Sequence, residues 1–343
     1  MLHPMTLFRC VFLGATFAVA LSQSGCSTTP AAAVPATPAT GGIVSQHGRL
    51  QVKGNRIVGD HGRPVSLAGV SFGWSQWEAA RFYNAGTVNW LKQDWHASII
   101  RAALGLHAEP GSYVQKPAAN RARITAVVDA AIAADLYVLI DWHDHHAEDR
   151  TDLAVAFFAD MAKRYGHLPN VIYEIYNEPL VISWPDKIKP YAEKVIAAIR
   201  AHDPDNLIIV GTPRWSQEVD AAAADPIKDP NVAYTLHFYA GTHKAALRAR
   251  AEKALALGAA LMVTEWGTCN ADGKGPVDEA SVREWMDFMR RHELSHCNWG
   301  VYDKRETASI IQPRAPAKGG WKDTDLTPSG RFAREIVRDW KQD

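Results

Sequence analysis

From Val65 to Asp303 the chain repeats one pattern: a short apolar run, then a longer segment with apolar positions at helical spacing. The runs are VSLAGVS (65–71), SIIRAAL (98–104), YVLIDWH (137–143), VIYEIYN (171–177), LIIVGTP (207–213), AYTLHFY (233–239), LMVTEWG (261–267) and CNWGVYD (297–303). Near-continuous apolar runs of this length predict strands buried on both faces. The segments between them predict helices over 87–95, 121–134, 153–165, 188–202, 217–224, 243–257 and 279–292, and a last one over 328–341. In the second of these, Ile124, Val127, Val128 and Ala131 fall on one face. Strands alternating with helices predict a parallel sheet covered by helices, and a count of eight predicts closure into a (β/α)8 TIM barrel. An open doubly wound sheet would carry a Gly-rich phosphate turn after its first strand, and Val70-Ser71-Phe72-Gly73-Trp74 is not one. Ahead of the barrel, alternation around Lys53-Gly54-Asn55 predicts a β-hairpin, placed across the barrel's bottom.

The N-terminal region reads differently. Arg9, then the 11 apolar residues Val11 to Leu21, then Ser24-Gly25-Cys26 have the order of an export signal, residues 1–26. The apolar stretch is too short for a stable span. Small residues before Cys26 make it a candidate lipid acceptor, so the protein is expected outside the cell, secreted or lipid-anchored. Residues 27–42 form a Pro/Ala/Thr-rich spacer, and 43–343 remain for one catalytic barrel domain. Cys269 and Cys297 are expected at opposite ends of neighbouring strands, ~15 Å apart at about 3.3 Å per residue, too far for a disulfide.

Charge excludes more than it suggests. The chain has 37 basic and 37 acidic residues, so nothing points to nucleic acid. No cofactor motif is present, and the chain is read as a monomer. Twelve tryptophans are an unusual number; they fit a Trp-rich core or, since indole faces stack well on the apolar faces of sugar rings, a carbohydrate site.

Barrel active sites lie at the C-terminal ends of the strands. There the sequence places Arg101; Asp141, Trp142 and His143; Asn177 and Glu178; His237 and Tyr239; Glu265; and Trp299, with Asp303, Lys304 and Glu306 just beyond. Strands four and seven face each other across a barrel mouth, so Glu178 and Glu265 can flank one sugar. Glycoside hydrolysis needs such a pair, one carboxyl to protonate the leaving oxygen and one to attack or to activate water. Arg101 and Tyr239 can donate hydrogen bonds that keep Glu265 ionised, and His237 can relay protons near Glu178. Asn177 can bind the sugar 2-hydroxyl. His143-Asp144-His145 has a metal-ligand spacing, but a metal needs further His or Asp ligands from other strands and only His237 is available, so no metal is expected.

The segments VIYEIYNEP, TLHFYAGTH, VTEWGT and NWGVYDKRE, with GVSFGWSQW, SIIRAALG, DWH and IIVGTPRWSQ, resemble family 5 glycoside hydrolases, the bacterial endoglucanase (cellulase) subfamily above all. The resemblance runs from about Arg49 to Ile311. It implies a retaining endo-β-1,4-glucanase with Glu178 as acid/base and Glu265 as nucleophile. It implies that Arg101, His143, Asn177, His237, Tyr239 and Trp299 surround the cleaved sugar, and that Trp77, Tyr113, Trp215, Lys304 and Glu306 line the cleft on either side. The expected partner is a β-1,4-glucan or cello-oligosaccharide. Mannan, xyloglucan and mixed-linkage glucan stay open as substrates of the same machinery, because a few hydroxyl contacts decide among them. An inactive carbohydrate-binding barrel would usually lack a catalytic carboxylate, and both are present.

Overall fold

The computed structural model describes residues 41–106 and 110–340. The export signal, Cys26 and the spacer as far as residue 40 lie outside the described residues. Eight parallel strands close into a barrel: β3 (Ala68–Phe72), β4 (Ile99–Gly105), β5 (Tyr137–His143), β6 (Val171–Glu174), β7 (Ile208–Val210), β8 (Val232–Tyr239), β9 (Leu261–Gly267) and β10 (His296–Val301), with β10 pairing back to β3. Every strand is buried on both faces apart from the last residue of β8, as their apolar runs require. Helices at Ala85–Trp95, Pro117–Ala133, Thr151–Tyr165, Lys189–Arg200, Val219–Ala224, Ala245–Ala256, Glu279–Arg291 and Pro328–Arg338 form the outer layer. Three of them start on side-chain caps: Asn84 accepts from the Thr87 N–H, Asp278 from the Ser281 N–H and Thr327 from the Gly330 N–H.

The predicted hairpin is β1 (Gln51–Lys53) against β2 (Arg56–Val58), turning at Gly54 and Asn55. It closes the barrel floor. Leu50, Ile57, Val65 and Leu67 pack with Ile99, Tyr137, Ile172, Ile209 and Met262 in one buried cluster. Hydrogen bonds fasten the plug, among them Val52 N–H to Asn231 Oδ1, Asn55 Nδ2 to Leu255 O and Arg56 Nη1 to His292 O. The sequence pattern missed the short helix Ile43–His47 and the 3-10 turn Trp77–Phe82. Cys269 and Cys297 are buried free thiols.

Strands β6 and β7 end earlier than their apolar runs predict. Past Glu174 the Ile175 N–H still bonds to the Ile209 carbonyl on β7, and the N–H groups of Asn177 and Glu178 bond to the carbonyls of Trp142 and Asp144. Asn177 and Glu178 are thereby held by β5 and its loop.

One glycine is dictated by the close pairing of β3 and β4. A Cβ on Gly69 would stand 1.8 Å from the Ile99 carbonyl oxygen. Gly69→Ala is expected to destabilise the barrel by ~1–3 kcal/mol through this backbone clash. Thermal melting tests it; a variant melting with the parent would show that β3 can shift freely.

Candidate active site

At the C-terminal mouth, β4 contributes Arg101, whose side chain is wholly buried. Its guanidinium is a hub. Nε donates to Glu174 Oε2 (2.7 Å), Nη1 to Glu265 Oε2 (2.9 Å) and Ser71 Oγ (3.2 Å), and Nη2 to Asn177 Oδ1 (2.6 Å). Asp141 Oδ2 also lies 2.9 Å from Nη2. Burial opposes the charge on Arg101, but Asp141, Glu174 and Glu265 more than reverse this and hold its proton affinity well above the usual range.

The carboxylates around it differ in fate. Burial drives Asp141 well above the ordinary carboxyl range, because one guanidinium shared among three carboxylates does not neutralise each in full. Glu174 is shifted down: burial works against its charge, and Arg101 and His237 outweigh burial. Glu265, at the end of β9, is raised chiefly by burial, with His237 and Arg101 pulling the other way. Tyr239 donates from its hydroxyl to Glu265 Oε1 at 2.8 Å.

Glu178 follows β6. Its Oε1 is 2.9 Å from His237 Nδ1, and His237 Nε2 is 2.8 Å from Thr264 Oγ1. Burial disfavours the imidazolium, yet Glu265, Glu174 and Glu178 push His237 up to about 9. Carboxylate oxygens of Glu178 and Glu265 and a ring nitrogen of His237 lie within 4.8 Å of one another. Two carboxylates this close match the spacing of roughly 5–5.5 Å used for double displacement, not the wider gap that admits a water.

His143, closing β5, is held neutral by burial and by the nearby Arg101. Its Nδ1 meets Asp141 Oδ2 at 2.7 Å, and its ring stacks on Trp299 with centroids 5.0 Å apart. Facing an ionised Asp141, the neutral ring donates through Nδ1–H and leaves Nε2 as an acceptor. His145 Nδ1 instead bonds to the Glu178 carbonyl, so the two histidines do not converge on a common point. A second group, His146, Glu148 and Asp149, gathers in a surface turn beside the mouth.

Two cavities flank the carboxylates. One, of about 420 Å³, is lined by Trp74, Trp77, Trp299, Tyr302, Lys304 and Glu306. The other, of about 480 Å³, is lined by Glu178, Arg214, Trp215, Gln217, Tyr239 and Glu265. Trp77 and Trp215 are 40% and 41% exposed, an unusual state for indole and one suited to stacking on a ligand. Lys304 and Glu306 form an ion pair at 2.7 Å on the first rim.

The sequence-derived set is thus assembled at one mouth with one exception. Tyr113 does not line the cleft. Its N–H bonds to the Gly105 carbonyl, its ring packs against Trp142 and Phe157, and its hydroxyl accepts from Arg121. Sequence reasoning missed Trp74, which meets His143 edge-on at 4.3 Å and Trp77 at 5.2 Å. Its position just past the first strand was the available signal. It also missed Glu174, a carboxylate inside an otherwise apolar run, where an unpaired charge would be prohibitive.

Trp215 is delivered by an unusual backbone. Arg214, Trp215 and Ser216 are three successive non-glycine residues in the left-handed region, at φ 56°, 54° and 57°. Each costs roughly 1–2 kcal/mol relative to a right-handed residue. Bonds to the acid/base loop hold the turn: Arg214 N–H to Leu180 O (2.9 Å), Trp215 N–H to Pro179 O (2.8 Å) and Ser216 Oγ to Asn177 O (2.7 Å).

Residues 58–305 match the family described as Cellulase (glycosyl hydrolase family 5). The chain belongs to that family. It is 53% identical over 293 residues to Endoglucanase Z of Dickeya dadantii, covering 85% of this chain and 66% of that one. It is 41% identical over 311 residues to Endoglucanase N of Pectobacterium atrosepticum, covering 89% and 68%. Against the first three curated relatives the chain spans 66%, 65% and 62% of their length. Among solved structures, a Cytophaga hutchinsonii protein superposes with a TM-score of 0.85 at 49% identity, covering 87% of this chain and 96% of that one. The catalytic domain of Thermobifida fusca endoglucanase Cel5A, solved as a variant with cellotetraose, superposes at 0.82 and 32% identity, covering 86% and 99%. The family 5 barrel, and the place of its mouth, are thereby fixed.

Proposed function

We propose that this family 5 chain is a retaining endo-β-1,4-glucanase acting on cellulose and soluble β-glucans. The observation that carries the reading is the close approach of Glu178 and Glu265 at the mouth, each held by its own partners. Glu265 attacks the anomeric carbon as Glu178 gives its proton to the glycosidic oxygen and the C–O bond breaks. Water, deprotonated by Glu178, then releases the sugar from Glu265 with configuration restored. Asn177 Nδ2 has no hydrogen-bond partner among the described residues and suits a sugar 2-hydroxyl. Neutral His143, Tyr239, Arg101 and Trp299 surround the same ring. Trp77, Lys304 and Glu306 grip glucose units on one side, and Trp215 stacks a unit on the other. The cellotetraose held by the Thermobifida fusca neighbour supports a cello-oligosaccharide in this cleft.

Residues 1–26 are proposed to export the chain, because an insoluble polymer can be met only outside the cell, and Cys26 is the proposed site of a lipid anchor. The chain is proposed to act as a monomer. Among the described residues no helix is long and apolar enough to cross a membrane.

The test is viscosity loss plotted against reducing ends on carboxymethylcellulose, beside mannan and xylan. An endo-glucanase drops viscosity before many ends form. Turnover of mannan or xylan alone would keep the chemistry and replace the substrate; inactivity on all three would overturn the reading.

A further inference from the structure

Beneath the mouth lies a carboxylate that is shut off from solvent and reaches the sugar site only through other side chains. Glu174 ends β6 with no exposed surface. Its Oε2 accepts from Arg101 Nε at 2.7 Å, and its Oε1 accepts from Thr264 Oγ1 at 2.6 Å and Thr235 Oγ1 at 3.1 Å. Thr264 Oγ1 is in turn the partner of His237 Nε2, whose other nitrogen faces Glu178. One carboxylate therefore contacts both halves of the catalytic pair: Glu265 through Arg101, and Glu178 through Thr264 and His237.

Counting protons along this chain assigns their direction. Thr264 has a single hydroxyl hydrogen, and it is committed to Glu174. Its oxygen can therefore only accept from His237, so Nε2 must carry a hydrogen. That leaves Nδ1 as the ring nitrogen that exchanges a proton with Glu178. We propose that Glu174 is a positioning residue which, through Thr264, holds a hydrogen on His237 Nε2 and so keeps the transferable proton between His237 Nδ1 and Glu178. The inference rests on the acid/base reading of Glu178 given above.

The electrostatics agree. Around His237 stand the carboxylates Glu174, Glu178 and Glu265 and the rings of His143 and His243. Around Glu174 stand Arg101, His237, Asp141 and the Cys297 thiol. Arg101 is already shared with Asp141 and Glu265, so Glu174 leaves negative charge beneath the imidazole.

Glu174→Gln preserves shape and reverses the wiring. The amide oxygen must stay on Arg101, so the amide nitrogen faces Thr264 and donates to it. The Thr264 hydrogen then turns to His237 Nε2, and Nδ1 becomes a fixed donor to an ionised Glu178. Acid assistance is lost while the nucleophile keeps Arg101.

The test compares two leaving groups with wild type, Glu174→Gln and Thr264→Val. Cellotetraose needs a proton on its departing oxygen; 2,4-dinitrophenyl β-cellobioside does not. On cellotetraose, kcat/KM is expected to fall on the order of 10²-fold in both variants, against less than about threefold on the dinitrophenyl substrate. The alkaline limb of the cellotetraose profile should also move to lower pH in Glu174→Gln, since removing a negative charge weakens proton binding by the His237–Glu178 pair. If Glu174→Gln does not fold, Thr264→Val carries the comparison. Equal losses on both substrates, or an unmoved limb in a folded Glu174→Gln, would overturn the inference alone. Wild type inert on both would overturn the enzyme reading beneath it.

Discussion

Replacing Glu265 by alanine is expected to cut turnover of carboxymethylcellulose on the order of 10⁴-fold or more, the scale seen when a covalent nucleophile is removed. The fold should survive. The lost carboxylate was buried against its own preference, and the change leaves one Arg101 nitrogen and the Tyr239 hydroxyl without that acceptor. The informative assay adds azide and an aryl cellobioside with an activated leaving group. Azide entering the vacated space displaces the leaving group once, so the product should be the inverted glycosyl azide. Inverted azide from Glu265→Ala, and retained azide from Glu178→Ala, would assign both roles by stereochemistry. Wild-type rates in Glu265→Ala would remove it from the chemistry.

The second large effect belongs to Arg101→Met. A buried ion pair often gives little net stability, but removing one partner is another matter, because the carboxylates that remain are buried and uncompensated. Three of them, Asp141, Glu174 and Glu265, lose their guanidinium together. The cost is expected at ~3–5 kcal/mol, or roughly 5–10 °C in melting temperature for a domain of this size. Activity should suffer with a definite sign. Glu265 must be ionised to attack, burial already raises its proton affinity, and Arg101 opposes that rise. Without the guanidinium the acid limb of the pH–rate profile should move to higher pH. Melting and an acid limb both indistinguishable from wild type would show that the guanidinium anchors neither the fold nor the nucleophile.

Much of this was readable in the sequence because it is encoded locally. Both-face burial writes a strand as an apolar run, and a barrel aims each run's last residues at one rim, so Glu178, Glu265, His237 and Tyr239 could be placed from spacing alone. What escaped depends on contacts that spacing does not record. Tyr113 lies where no periodicity fixes the path, and its ring packs against Trp142 and Phe157 in the core. Glu174 sat in plain view within VIYEIYN, but its purpose depends on Thr235 and Thr264, contributed by β8 and β9. The left-handed turn at Arg214–Ser216 carries no glycine or asparagine to announce it; tertiary hydrogen bonds impose it.

That turn ties together two properties that evolution would otherwise adjust one at a time. The platform presenting Trp215 shares its backbone bonds with the loop that aims Glu178. A change near Arg214 that accommodates a bulkier or branched glucan on the leaving side will also tilt the proton donor. Drift in substrate preference on that flank should be slow and accompanied by repair in the acid/base loop.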